Sequence, residues 1–109
     1  MKNTVKSNFV FHSQADTPAI GHIYQSRFQP LIMNIEIFGS ATEFELAFEG
    51  ISSINWQELI GINLTTLDYS TTVNAVGLWQ VQLIGISDFR VNLKSLSGGE
   101  VSVKGKAVG

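Results

Sequence analysis

The residues of this chain that could bind a ligand are mostly aromatic. Trp56, Tyr69, Tyr24 and Phe28 lie outside the segments of regular hydrophobic alternation. Aromatic side chains in loops can stack on sugar rings or anchor a protein interface. Trp56, Tyr69 and Tyr24 are therefore candidate contacts for a glycan or for a partner protein.

Trp56 also has a structural interpretation, in which its ring covers one end of a β-sandwich with Leu59 and Ile60 beside it. These three residues have the i, i+3 and i+4 spacing of a helix, and a serine that could cap a helix precedes them. The segment 52–61 therefore predicts one helical turn at most.

No set of residues predicts catalysis. A nucleophilic triad needs a serine or cysteine, a histidine and a carboxylate. The chain has no cysteine, and no G-x-S-x-G motif accompanies His12 and His22. We expect both histidines on the surface or on an edge strand, and with Asp16 between them they provide too few ligands for zinc. The prediction is a protein that is not an enzyme, with no catalytic residue, no metal and no cofactor.

The acidic residues predict a solvated surface. Glu43, Glu45 and Glu49 share one side of a predicted strand, whereas a glycosidase holds two carboxyl groups across a cleft. Calcium binding by this row, with backbone oxygens from a loop, is the alternative, although no D-x-D-x-D-G run is present.

The composition favours a protein that acts by contact with other molecules and not by catalysis. The chain of 109 residues has 16 charged side chains against 31 Ser, Thr, Asn and Gln, and its net charge is −2. The Lys and Arg residues are dispersed along the sequence and do not indicate a basic patch that could bind nucleic acid. No apolar run approaches a membrane span, and the start "MKNTVKSNFVFHSQ" lacks the apolar core of a secretory signal. We therefore expect no nucleic-acid or membrane partner and no export.

Alternating hydrophobic residues dominate the chain and predict strands with one buried and one wet face. The pattern is clear in "LIMNIEIF", "TEFELAFE", "LWQVQLI", "FRVNLKS" and "VSVKGKAV". The predicted core consists of Ile35, Ile37, Phe44, Leu46, Phe48, Trp79, Val81, Leu83, Phe89, Val91, Leu93, Val101 and Val103.

Turn residues separate these runs and predict a single all-β domain over residues 1–109. Ser97-Gly98-Gly99 predicts a short hairpin between the last two strands, and residues 67–75 predict a polar loop or weak edge strand. About seven or eight strands indicate an antiparallel β-sandwich or jelly roll. Residues 1–30, interrupted by Pro18 and Pro30, predict an edge pair or a docking arm.

The second half of the chain resembles a known family. A strand that ends in Phe-Glu-Gly (48–50) leads to Trp56 and Leu59; Gly77 and Trp79 open the next strand. A turn at Gly85, "FRV" (89–91), "SGG" (97–99) and a last strand with Val101 and Val103 follow. Over about residues 42–108 this order is similar to a small β-sandwich domain of tailed-bacteriophage and prophage virion proteins. It is also similar to the discoidin-like sugar-binding jelly rolls, although Ser53-Ile54-Asn55 stands where those carry Asp-Gly.

The resemblance implies a structural or adhesive virion module. We expect a non-enzymatic bacteriophage protein of the tail, baseplate, fibre or head-decoration kind, which forms a homo-oligomer, contacts other virion proteins and is located in the virion. The alternative is a carbohydrate-binding module that recognises a cell-surface glycan of the host.

Overall fold

The computed structural model describes residues 5–26 and 30–109, and these residues form strands, turns and loops without any helix. No helix there could cross a membrane. The predicted helical turn at 52–61 is wrong, because the segment carries a short strand that pairs with its neighbour. The strands are β1 (Val5–Ala15), β2 (Tyr24–Gln25), β3 (Ile32–Gly39), β4 (Glu43–Ile51), β5 (Trp56–Glu58), β6 (Gly61–Asn63), β7 (Tyr69–Ser70), β8 (Thr72–Val73), β9 (Gly77–Gln82), β10 (Asp88–Ser97) and β11 (Val101–Val108).

The strands form two antiparallel sheets. The six-stranded sheet has the order β1-β11-β3-β9-β6-β7. The five-stranded sheet has the order β2-β10-β4-β5, with β8 also paired to β4. The predicted antiparallel β-sandwich is confirmed. The described residues hold more strands than predicted, because strands of two or three residues are too short to show alternation.

The core lies between the two sheets. All thirteen predicted core residues are buried, none more than 8% exposed. Phe48 of the five-stranded sheet and Trp79 of the six-stranded sheet pack with ring centroids 5.6 Å apart, and Phe11 meets Phe89 edge to face at 5.5 Å. Phe11, Met33, Val73 and Ala107 are also buried core residues. Each sheet therefore supplies aromatic rings that interlock with those of the other.

The predicted hairpin at residues 97–99 is wrong, because this link crosses from one sheet to the other. It joins β10 to β11, and the link at residues 39–42 joins β3 to β4 in the same way. The two crossovers lie side by side: the Ser40 amide donates to the Glu100 carbonyl at 3.0 Å. Gly39 has a φ of +139°, and a Cβ atom at this position would collide with the same carbonyl. Glycine is required there both by the backbone angle and by the space available.

The N-terminal segment contributes to an edge of each sheet. β1 pairs with β11 along the six-stranded sheet, with register shifts on both sides of His12. β2 then pairs with the start of β10 in the five-stranded sheet. The register shifts are β-bulges, and they turn both Phe11 and His12 into the interior. Phe28 lies outside the described residues.

Candidate functional site

Trp56 lies on the outer face of the five-stranded sheet and does not cover an end of the sandwich. It pairs with Ile51 across β4 and β5, and its ring lies over Arg90, with the Cζ atom 3.9 Å from the ring centroid. Of its predicted neighbours, Leu59 packs against the core and Ile60 is 62% exposed. The structural interpretation of Trp56 as a cap is therefore wrong. One face of its indole is occupied by a guanidinium group.

The same guanidinium group binds Glu49. Arg90 Nε donates to Glu49 Oε1 at 2.7 Å, and Asn92 Nδ2 donates to Glu49 Oε2 at 3.4 Å. Glu49 is only 9% exposed, so it does not belong to a solvated row, whereas Glu43 and Glu45 are exposed. The carboxylate of Glu49 is held by two donors of its own sheet and connects β4 to β10.

The three predicted contact residues lie on three different surfaces. Tyr69 is on β7, at the edge of the six-stranded sheet, and is 71% exposed. Tyr24 is on β2, half-buried against the core, with its ring centroid 5.3 Å from that of Phe9. Trp56 is on the outer face of the other sheet. The fold does not bring them together into one site.

The two histidines stabilise the N-terminal segment. His12 Nε2 donates to the Val91 carbonyl at 2.6 Å, which connects β1 to β10 across the sandwich. Burial lowers the pKa of His12, and the charge of His22 adds to this effect, while the hydrogen bond to Val91 opposes it. His22 is exposed, and its Nδ1 lies 3.1 Å from the Val10 carbonyl. Within the described ranges no three His, Asp or Glu side chains cluster as metal ligands would.

One end of the sandwich carries exposed aliphatic side chains that the sequence analysis did not single out. We call it the isoleucine end, and it consists of Ile54 (81% exposed), Ile84 (66%), Ile60 (62%) and Leu31 (47%). The signal available in the sequence is Ile54 within "SSIN", an aliphatic residue where a loop is otherwise polar. Apolar side chains that project from neighbouring loops are typical of an interaction surface.

Backbone hydrogen bonds hold the loops of the isoleucine end together. The Ser87 amide donates to the Ile51 carbonyl at 2.8 Å, and the Leu83 amide donates to the Leu31 carbonyl at 2.8 Å. A depression of about 230 Å³ separates the loop 52–55 from Ile86. The loops 52–55 and 84–87 contain no ionisable residue. This end therefore presents a pre-formed, uncharged and partly apolar surface.

Comparisons with known proteins connect this architecture to prophages. The sequence model of the XepA family matches residues 5–107. The phage-like element PBSX protein XepA of Bacillus subtilis (strain 168) is 29% identical over 104 residues, which cover 93% of this chain. The chain spans only 37% of the length of that relative.

Two solved structures share the fold. The crystal structure of the SPBc2 prophage-derived protein YomS superposes with a TM-score of 0.91 and 22% identity, covering 100% of this chain and 96% of that one. The crystal structure of the PBSX exported protein XepA gives a TM-score of 0.90 and 23% identity, covering 99% of this chain and 38% of that one. The phage association implied by the resemblance is confirmed, and the chain belongs to the XepA family.

Proposed function

We propose that this protein is a non-enzymatic phage structural protein that acts by assembly, forming a homo-oligomer and contacting other virion proteins of the tail, baseplate, fibre or head-decoration kind. The observation that carries the proposal is the isoleucine end. The prophage origin of the named relatives, XepA and YomS, supports a role in a phage particle.

The chemistry of the isoleucine end suits a second copy of the chain. Fully burying an isoleucine side chain stabilises a complex by about 1.5–3 kcal/mol, so Ile54 and Ile84 on two copies supply a useful part of an assembly's free energy. Because the loops 52–55 and 84–87 carry no charge, two copies meet there without like-charge repulsion. Closed symmetric contact between such ends gives a homo-oligomer.

Light scattering coupled to gel filtration tests this assembly. At about 100 µM, far above the Kd of a stable oligomer, the wild-type chain should elute as a defined oligomer. The double substitution Ile54→Ser and Ile84→Ser should yield monomer, because it removes the apolar contact. Val76→Ser is the matched control, since Val76 is 58% exposed but lies near the opposite end, and it should leave the oligomer intact. A wild-type monomer at this concentration would contradict the proposal.

Virion membership needs a separate experiment. Quantitative mass spectrometry of particles purified by density gradient should find the protein in fixed stoichiometry with known capsid or tail proteins. The relative from PBSX is named an exported protein, so the particle-free supernatant is the essential comparison. Protein present only in the supernatant would contradict the virion role and leave the assembly result standing.

A further inference from the structure

We propose that the outer face of the six-stranded sheet binds an acidic, hydroxyl-rich polymer, such as a cell-wall sugar chain with carboxylate or phosphate groups. The site is a line of six side chains, one from each strand, that we call the transverse row: Tyr69, Ile62, Gln80, Asn34, Lys106 and Asn8. This binding goes beyond assembly and uses a face that the isoleucine end reaches only at Ile60, which lines the depression beside Tyr69.

Strand register places the six residues on one line. Ile62 pairs with Tyr69 and with Gln80, and Asn34 pairs with Gln80 and with Lys106. Lys106 in turn pairs with Asn8 on β1. Directly paired residues of antiparallel strands point to the same face. With strands ~4.8 Å apart, the row is about 24 Å long and perpendicular to the strands.

The row runs through two depressions on this face. One of about 530 Å³ lies over β1, β11, β3 and β9. Asn8, Asn34 and Lys106 of the row line it, together with Glu36, Lys104 and the apolar side chains of Val10, Leu64 and Leu78. The other, of about 410 Å³, lies over β6, β7 and β9 and is lined by Tyr69 and Gln80. A chain that crosses the strands would therefore meet a depression on each side of the Gln80–Asn34 pair.

Two amides of the row are fixed by each other and remain able to bind hydroxyl groups. Gln80 Nε2 donates to Asn34 Oδ1 at 2.9 Å. This orientation leaves the Gln80 carbonyl oxygen as an acceptor and the Asn34 amino group as a donor. A sugar hydroxyl donates and accepts at once, so it can bind between two such groups. Tyr69, 71% exposed at the end of the row, offers its ring for stacking.

Lys106 favours an acidic ligand. On this face Lys104 is opposite Glu36, whereas Lys106 is opposite Asn34 and Asn8. Among the described residues, the two ion pairs are Arg90–Glu49 and Lys94–Glu58, both on the other sheet. Lys106 is thus an exposed cation directly opposite neutral amides, while Glu36 in the same depression is opposite Lys104. Lys106 is positioned to bind an anionic group of a polymer that the amides and the tyrosine hold by its hydroxyls and rings.

Isothermal titration of the intact chain tests the site with four probes. The acidic probes are a hexasaccharide of alternating N-acetylglucosamine and N-acetylmuramic acid, which carries carboxylates, and a poly(glycerol phosphate) oligomer. Chitohexaose is the neutral sugar, and hexaglutamate is the acidic peptide. At least one acidic hydroxyl-rich probe should bind with a sub-millimolar Kd, at least about fivefold tighter than chitohexaose and hexaglutamate. The acidic probe that binds identifies the carboxylate or phosphate source.

Two substitutions and a matched control assign the binding to the row. Lys106→Gln should weaken binding about tenfold, through loss of a charge-assisted hydrogen bond, and Tyr69→Ala about fivefold, through loss of stacking. Lys94→Gln makes the same change on the outer face of the other sheet and should alter the Kd less than twofold. The proposal is overturned if neither acidic hydroxyl-rich probe binds at ~1 mM, if hexaglutamate binds as tightly, or if Lys94→Gln has the same effect as Lys106→Gln.

Discussion

Replacing Arg90 with methionine should destabilise the protein far more than breaking the exposed Lys94–Glu58 ion pair on the outer face of the same five-stranded sheet. Arg90 is bound by Glu49 at 2.7 Å and covered by the Trp56 ring at 3.9 Å. Methionine keeps the apolar contact with the ring but removes the cation. In the part of the chain that the structure describes, Glu49, 9% exposed, then retains only the 3.4 Å hydrogen bond from Asn92. The cost therefore comes from an uncompensated, largely buried carboxylate.

The expected size follows from the burial of the pair. Breaking one partner of a buried ion pair costs about 3–5 kcal/mol. Because the Arg90 and Glu49 side chains keep 15% and 11% of their exposure, we expect the lower end, about 3 kcal/mol. In urea denaturation with a slope of about 1.5 kcal/mol per molar, the midpoint should fall by about 2 M.

Two further variants distinguish the cost of leaving a buried carboxylate unpaired from the cost of losing an exposed ion pair. The double substitution Arg90→Met and Glu49→Leu should return to within about 1 kcal/mol of wild type, since both charges are gone and an apolar contact replaces them. Lys94→Met breaks the pair with Glu58, in which the side chains are 39% and 45% exposed, and should cost less than about 1 kcal/mol. If Arg90→Met costs no more than Lys94→Met, the ion pair is not stabilised as we describe.

Two other predictions concern the interior and the crossovers. Because burial lowers the pKa of His12 from 6.5, the native protein binds fewer protons than the unfolded chain below about pH 6.5; the free energy of unfolding should therefore fall as the pH falls from 7 to 5.5. Denaturation curves of His12→Gln should lose most of this slope, and those of His22→Gln should keep it. Gly39→Ala should cost about 3 kcal/mol or more, because the new methyl group collides with the Glu100 carbonyl. Gly85→Ala, at a φ of +79° with open space around it, should cost only about 1 kcal/mol; equal costs would refute the role of crowding at Gly39.

Alternation predicted most of the interior where a strand is long enough to show it, although the buried Met33 and Ala107 of the long strands β3 and β11 are missing from the predicted core. Every second residue from Phe44 to Phe48 and from Phe89 to Leu93 is buried, as the pattern requires. Phe11 was missed because a bulge interrupts the alternation of β1, and Val73 because β8 has only two residues. Periodicity also assigns a face to each residue but not a sheet to each strand. For this reason a glycine-rich link at residues 97–99 predicted a hairpin where the chain crosses between sheets.

The candidate surfaces were less predictable than the core. The Trp56 ring packs on Arg90, which lies far from it in the sequence. A local sequence pattern cannot predict a contact between residues of two separate strands. The three predicted contact residues are aromatic residues outside the alternating segments, and this criterion does not determine which surface a side chain occupies. The transverse row needs the register of six strands, which only the folded sheet supplies.

The pairing of the first strand with the last has a consequence for how the protein is made. β1 is synthesised before its hydrogen-bonding partner β11, and the nine described strands β2 to β10 lie between them in the sequence. Contacts between residues so far apart in sequence form slowly, because the intervening chain must first be ordered. Until β11 leaves the ribosome, the hydrophobic side of β1, with Phe11, has no strand beside it. A nascent chain that pauses before β11 is complete is thus prone to aggregate, and coexpression of a holdase should raise its yield.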